Sequence, residues 1–195
     1  MTEPEVFTLA DNALNGVVQQ IKDDQWEMKM PKEFLRKGMT EITLREIINY
    51  HAYDDIWVPE TLAGKTIEEV GKKHDGDLLG QDPKASFAAI VQKAVAAAQA
   101  VADLDKMVHL TYGDYPTREY FWHITMFRGT RAYDIAKLIG VESPLTDELA
   151  QGLYDQIAPH AEEWRKMGLF QAPVEVGADA SIQDKLLGIT GRQPS

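Results

Sequence analysis

The sequence predicts an all-α fold, an antiparallel four-helix bundle with additional short helices. Three observations carry that expectation. Long segments place apolar residues at helical spacing, capping signals bracket them, and only one short segment alternates weakly. From about Pro4 to Lys22, Phe7, Leu9, Ala10, Leu14, Val17, Val18 and Ile21 recur at helical intervals. A polar stretch from Asp23 to Met39 follows, with Pro31 and Gly38 as breakers. Thr43-Leu44-Arg45-Glu46 is a capping box, in which the Thr and Glu side chains satisfy orphan N–H groups. It predicts a helix to about Val58, ended by Pro59 and Gly64. Thr66 to Glu69 is a second capping box heading a short helix that Gly71 weakens.

Asp82-Pro83 supplies an N-cap and a first-turn proline for an alanine-rich helix running to about Leu104. Met107 to Tyr112 reads as a short strand or extended turn ending at Gly113-Asp114. A long helix is expected from Thr117 to Ile139, with Gly140 as its C-cap. Another is expected from Thr146 to Met167, kinked by Pro159 near Asp155. Ala172 to Ala180 should run extended over the surface, and Ser181 should cap a last short helix ending at Gly191. No repeat or long linker divides the chain, so residues 1–195 read as one domain.

The chain has 195 residues and 44% hydrophobic residues, the composition of a soluble globular domain. Twenty Lys and Arg against 31 Asp and Glu give a net charge of −11. That field repels nucleic acid and anionic membranes, and neither is expected as a partner. With no cysteine, thiolate nucleophiles and Cys-based zinc sites are excluded. No apolar run approaches the ~18 residues of a membrane span, and the acidic start MTEPEVFTLADN does not read as a signal peptide. A cytoplasmic location is expected.

Candidate functional residues come from polar groups on apolar helix faces. On the helix from Leu44, the face defined by Leu44, Ile47, Ile48 and Val58 also holds His51 and Asp55, about 20° either side of its centre. Such a pair is either a hydrogen-bonded structural unit or part of a reactive or cation-binding site. On the helix from Thr117, Ile124, Phe127, Ile135 and Leu138 form the main apolar face. Arg131 falls near its middle, and His123 and Asp134 lie on one flank. A guanidinium there needs a counter-charge, and Asp55 is the expected partner. Tyr50, Tyr53 and Trp57 form an aromatic stripe on the opposite face of the His51 helix, expected to be covered by a loop or by a second subunit. His74, His109 and His160 read as surface or turn residues. There is no GxGxxG, P-loop, HExxH or GxSxG, and no Ser/His/Asp triad is supported.

Several dispersed segments resemble the DinB-like superfamily, in its actinobacterial branch related to the N-terminal domain of mycothiol-dependent maleylpyruvate isomerase. They are residues 44–51 (LREIINYH), 62–66 (LAGKT), 112–116 (YGDYP), 131–140 (RAYDIAKLIG), 157–165 (IAPHAEEWR) and 183–192 (QDKLLGITGR). The resemblance implies a helical bundle holding zinc or nickel, with a low-molecular-weight thiol such as mycothiol as cosubstrate. His51 matches one family ligand. The other two ligand positions fall on Phe127 and Arg131, just before Asp134-Ile135-Ala136. Phenylalanine offers no donor atom and guanidinium is a permanent cation. A displaced set of His51, Asp55 and His123 is the fallback metal site.

The resemblance thus implies a thiol-dependent transferase or isomerase with a degenerate metal site. In it Arg131 holds a carboxylate or thiolate, His51 acts as acid or base, and Asp55 orients one of them. Phe127, His123 and Asp134 are the expected pocket residues. The alternatives are a small-molecule-binding bundle without catalysis and a structural homodimer joined through the aromatic stripe.

Overall fold

The computed structural model describes residues 1–35 and 41–194, so Gly38 and Met39 lie outside the described residues. The chain is mostly helical. In order come α1 (Glu3–Val18), α2 (Leu44–Leu62), α3 (Ile67–Val70), α4 (Pro83–Gln99), β1 (Met107–Leu110), β2 (Gly113–Pro116), α5 (Thr117–Ile139), α6 (Asp147–Ile157), α7 (Ala161–Lys166) and α8 (Ile182–Ile189). Single turns at Asp23–Gln25 and Lys32–Phe34 interrupt the link between α1 and α2, the second beginning after Pro31.

The expected caps form. Thr43 Oγ1 accepts from Glu46 N while Glu46 accepts from Thr43 N at 2.7 Å. Thr66 and Glu69 repeat the pattern, and Asp82 caps α4. Gly140 closes α5 at φ 74°, a backbone conformation that side-chain-bearing residues rarely adopt.

Four long helices pack on one another: α1 lies against α4 and α5, and α2 against α4 and α5. Leu14, Val18, Ile21, Leu44, Ile48, Phe87, Val91 and Ile135 fill the space they share. Phe7, Val58, Ala98, Val108 and Phe121 continue the core toward the hairpin. On the far side of α5, α6 and α8 bury Leu149, Leu153, Ile157, Leu186 and Leu187. Gly129 permits that approach, because a Cβ there would collide with the Leu153 side chain. Among the described residues no helix is long and apolar enough to cross a membrane.

Four elements differ from expectation. Pro59 does not end α2. Its ring removes one N–H but its carbonyl still accepts from Ala63 N at 3.0 Å, and Leu62 packs on the core. α4 stops at Gln99 rather than Leu104. The Leu104 and Lys106 carbonyls instead accept from Arg118 and Thr117, tying this segment to the start of α5. The 107–112 segment is a strand over Met107–Leu110 followed by a turn, and the strand has a partner the sequence did not announce: Leu110 faces Gly113 and Met107 faces Pro116 in an antiparallel hairpin. Pro159 splits the expected 146–167 helix into α6 and α7, since it has no N–H to return to Asp155.

A buried charge cluster and an aromatic groove

Phe121, Arg128 and Ile135 recur every seven residues along α5, and all three are fully buried. Arg128 therefore enters the core among apolar neighbours, with its guanidinium carbon 5.1 Å from the Phe7 ring centroid. A buried guanidinium needs anions and acceptors. Asp55 of α2 supplies the first: Arg128 Nε donates to its Oδ1 at 2.7 Å and Nη2 donates to the same oxygen. Nη1 donates to the Ile124 carbonyl at 2.6 Å. Asp11 of α1 supplies the second, with Oδ1 3.2 Å from Arg128 Nε. All three side chains are completely buried.

Two carboxylates and one guanidinium do not balance unless a proton is retained. Burial pushes the Asp11 carboxyl well above its usual range, and the neighbouring Asp55 charge adds to the effect. Burial also raises Asp55, but Arg128 offsets part of this. Burial opposes the charge of Arg128, and the Asp55 and Asp11 carboxylates more than restore it, so its pKa rises. Neither Asp11 oxygen nor Asp55 Oδ2 accepts a hydrogen bond from an N–H or O–H donor among the described residues. One proton held on Asp11 and donated to Asp55 would supply the missing donor and leave the cluster neutral.

The expected pairing of Asp55 with Arg131 is therefore replaced. Asp55 is taken by Arg128, one turn earlier on α5. Arg131 Nη1 donates to the Phe34 carbonyl at 2.8 Å and lies 3.4 Å from Asp134 Oδ2. Arg192 grips the same Asp134 with Nε and Nη2 at 2.7 and 2.8 Å. Phe127 and Arg131 border a small crevice with Thr190 and Arg192. His51 is 2% exposed on the inner face of α2, one turn before Asp55.

His123 is elsewhere. It lies edge-on to Tyr115 at 5.0 Å and meets Tyr112, whose hydroxyl is 3.3 Å from Nδ1; burial lowers its pKa. The fallback ligands His51, Asp55 and His123 are thus not gathered, and no group of three or more His, Asp or Glu suited to a metal occurs among the described residues. Asp11 and Arg128 are the members of the buried cluster that sequence reasoning missed. The signal existed: Asp11 follows Phe7 by four residues and precedes Leu14 by three, on the apolar face of α1.

The aromatic stripe of α2 forms one wall of a groove. Tyr53 and Trp57 pack 6.2 Å apart, and Trp57 is covered edge-on by His74 at 5.8 Å, a contact from its own chain. Tyr50 remains 42% exposed. Across from Tyr53 and Trp57, the hairpin brings Leu110, Thr111 and Tyr112, enclosing about 350 Å³. Tyr112 is 59% exposed. All three histidines expected at the surface or in turns have partners: His74 is buried against Trp57, with Nε2 3.6 Å from Glu60, His109 Nδ1 is 2.8 Å from Asp114, and His160 lies between Trp122 and Trp164.

Comparison with known proteins adds no relative: no family model, curated protein or solved structure matches the chain.

Proposed function

We propose that this chain is a small-molecule-binding protein of the DinB-like type, whose family metal position has been given over to structural ion pairs. Its binding site is the groove between α2 and the β1–β2 hairpin. The observation that carries the reading is the groove itself: an aromatic-walled volume of about 350 Å³ with an exposed tyrosine at its edge. The polar residues of the helix interior support it from the other side. Asp55 is engaged by Arg128, and Arg131 by Phe34 and Asp134.

The test is an amide and indole NMR titration with a mixed panel of small cations, anions and neutral compounds. Binding should shift Trp57, Thr111 and Tyr112 together while leaving Asp11 and Arg128 in place. A panel in which no compound moves the groove signals contradicts the reading.

A second reading is a mycothiol-dependent transferase or isomerase with zinc or nickel, favoured by one observation: His51, at a family ligand position, is buried on the inner face of α2. Stoichiometric zinc or nickel lost in His51→Ala, together with mycothiol binding, would move the assignment to that reading.

A further inference from the structure

The ligand class follows from the chemistry of the groove wall, on the footing that the groove is the binding site. Its surface combines π faces with negative charge. Tyr53 and Trp57 form one side, Tyr112 the other, and buried Tyr120 lies deeper. Asp54 and Asp75 also line it, and no Lys or Arg does among the described residues. Among the described residues His109 is the one basic side chain of the lining, and its Nδ1 lies 2.8 Å from Asp114 Oδ1.

The hydroxyl at the rim is already engaged. The Tyr112 hydroxyl is 3.3 Å from His123 Nδ1. The ring faces and the acidic residues are the features of the wall that distinguish ligands by charge. An anion would meet Asp54, Asp75 and a chain of net charge −11. A neutral apolar ligand would use the rings but gain nothing from the carboxylates. A weakly hydrated cation uses both, because the aromatic quadrupole and the carboxylates attract it together.

We infer that the groove binds a small organic cation, an alkylated ammonium whose head group is held by Tyr53, Trp57 and Tyr112 and balanced by Asp54 and Asp75. The ligand belongs at the small end of the range, since about 350 Å³ lies near the lower limit for small-molecule sites.

The test compares choline with its uncharged carbon isostere, 3,3-dimethylbutan-1-ol, by NMR titration of the full chain. Choline should shift the Trp57 indole and Tyr112 signals and bind about tenfold more tightly than the isostere. Asp75→Asn and Asp54→Asn should each weaken choline about threefold and leave the isostere unchanged, with spectra confirming that each variant is folded. Added salt should weaken choline alone. Equal affinity of the two probes in the groove overturns the cation inference while the binding-groove reading stands. Groove signals that move with other members of the mixed panel, but not with choline, have the same meaning. Silence of the groove toward every compound overturns both.

Discussion

Asp54 and Asp55 are neighbours on α2, yet they meet opposite environments. Asp55 is completely buried and bonded to Arg128, with Asp11 beside it. Asp54 lines an open groove walled by aromatic rings. One step along a helix rotates a side chain by about 100°, enough to move it from the packed interior to the surface. The buried region sets its charges against one another. The groove carries negative charge on its walls and leaves room. Polarity on an inner helix face is thus no guide to chemistry unless its partners are known.

The largest effect expected from this contrast is at Arg128. Arg128→Met leaves at least one buried carboxylate uncompensated and should cost ~3–5 kcal/mol in urea unfolding. Adding Asp55→Leu and Asp11→Leu removes the orphaned charges and should recover much of the loss. A triple variant no more stable than Arg128→Met would break the account of the cluster as one electrostatic unit.

Next is Arg131→Met, expected to cost about 1–3 kcal/mol, because Asp134 keeps Arg192 while the Phe34 carbonyl loses its donor. Asp55→Leu should give this variant no rescue. Rescue in a double-mutant cycle would restore the pairing of Arg131 with Asp55 that the helical wheel suggests.

A smaller effect separates the two buried carboxyls. Asp11→Asn keeps a neutral side chain with an N–H donor toward Asp55 and should change stability by less than about 1 kcal/mol near pH 4. Asp55→Asn removes the anion that faces Arg128 and should cost more at every pH above that. The sign with pH follows from the raised pKa of Asp11. Above its ordinary value of 3.8 the folded state binds more protons than the unfolded state, so this residue's contribution falls as pH rises, until Asp11 ionises in the folded chain. Asp11→Asn removes that decline, so its stability relative to the wild type should improve from about pH 4 upward. A difference that stays flat with pH would contradict a retained proton.

The smallest effect belongs to the groove. Tyr112 is mostly exposed, and Tyr112→Phe, which keeps the ring face, should alter stability by no more than about 0.5 kcal/mol and leave ligand affinity in the NMR titration close to that of the wild type.

Much of the helical scaffold was readable because its signals are local. The Thr43/Glu46 and Thr66/Glu69 boxes, Asp82-Pro83 and Gly140 act on backbone groups within a turn of themselves. Pro59 misled because a proline breaks a helix only when the flanking packing does not hold it, and Leu62 is held. The inner position of His51 and Asp55 was equally legible from periodicity. The partner of Asp55 was not, because Arg128 and Arg131 are three residues apart on α5 and a wheel does not resolve which one reaches α2. The groove was the least legible. Its walls, at Tyr53 and Trp57 and at Leu110 to Tyr112, are some 50 residues apart in the chain, and they meet because β2, with its weak Gly-Asp-Tyr-Pro strand signal, pairs with β1.

The central claim is that the Asp11–Asp55–Arg128 cluster is closed by a single retained proton. Carboxyl carbon NMR of selectively labelled aspartate, followed through a pH titration and assigned with Asp11→Asn and Asp55→Asn, tests it most directly. The account predicts a protonated Asp11 and an ionised Asp55 at pH 7. Two ionised carboxylates at that pH, with Asp11 titrating in the ordinary carboxylate range, would contradict it.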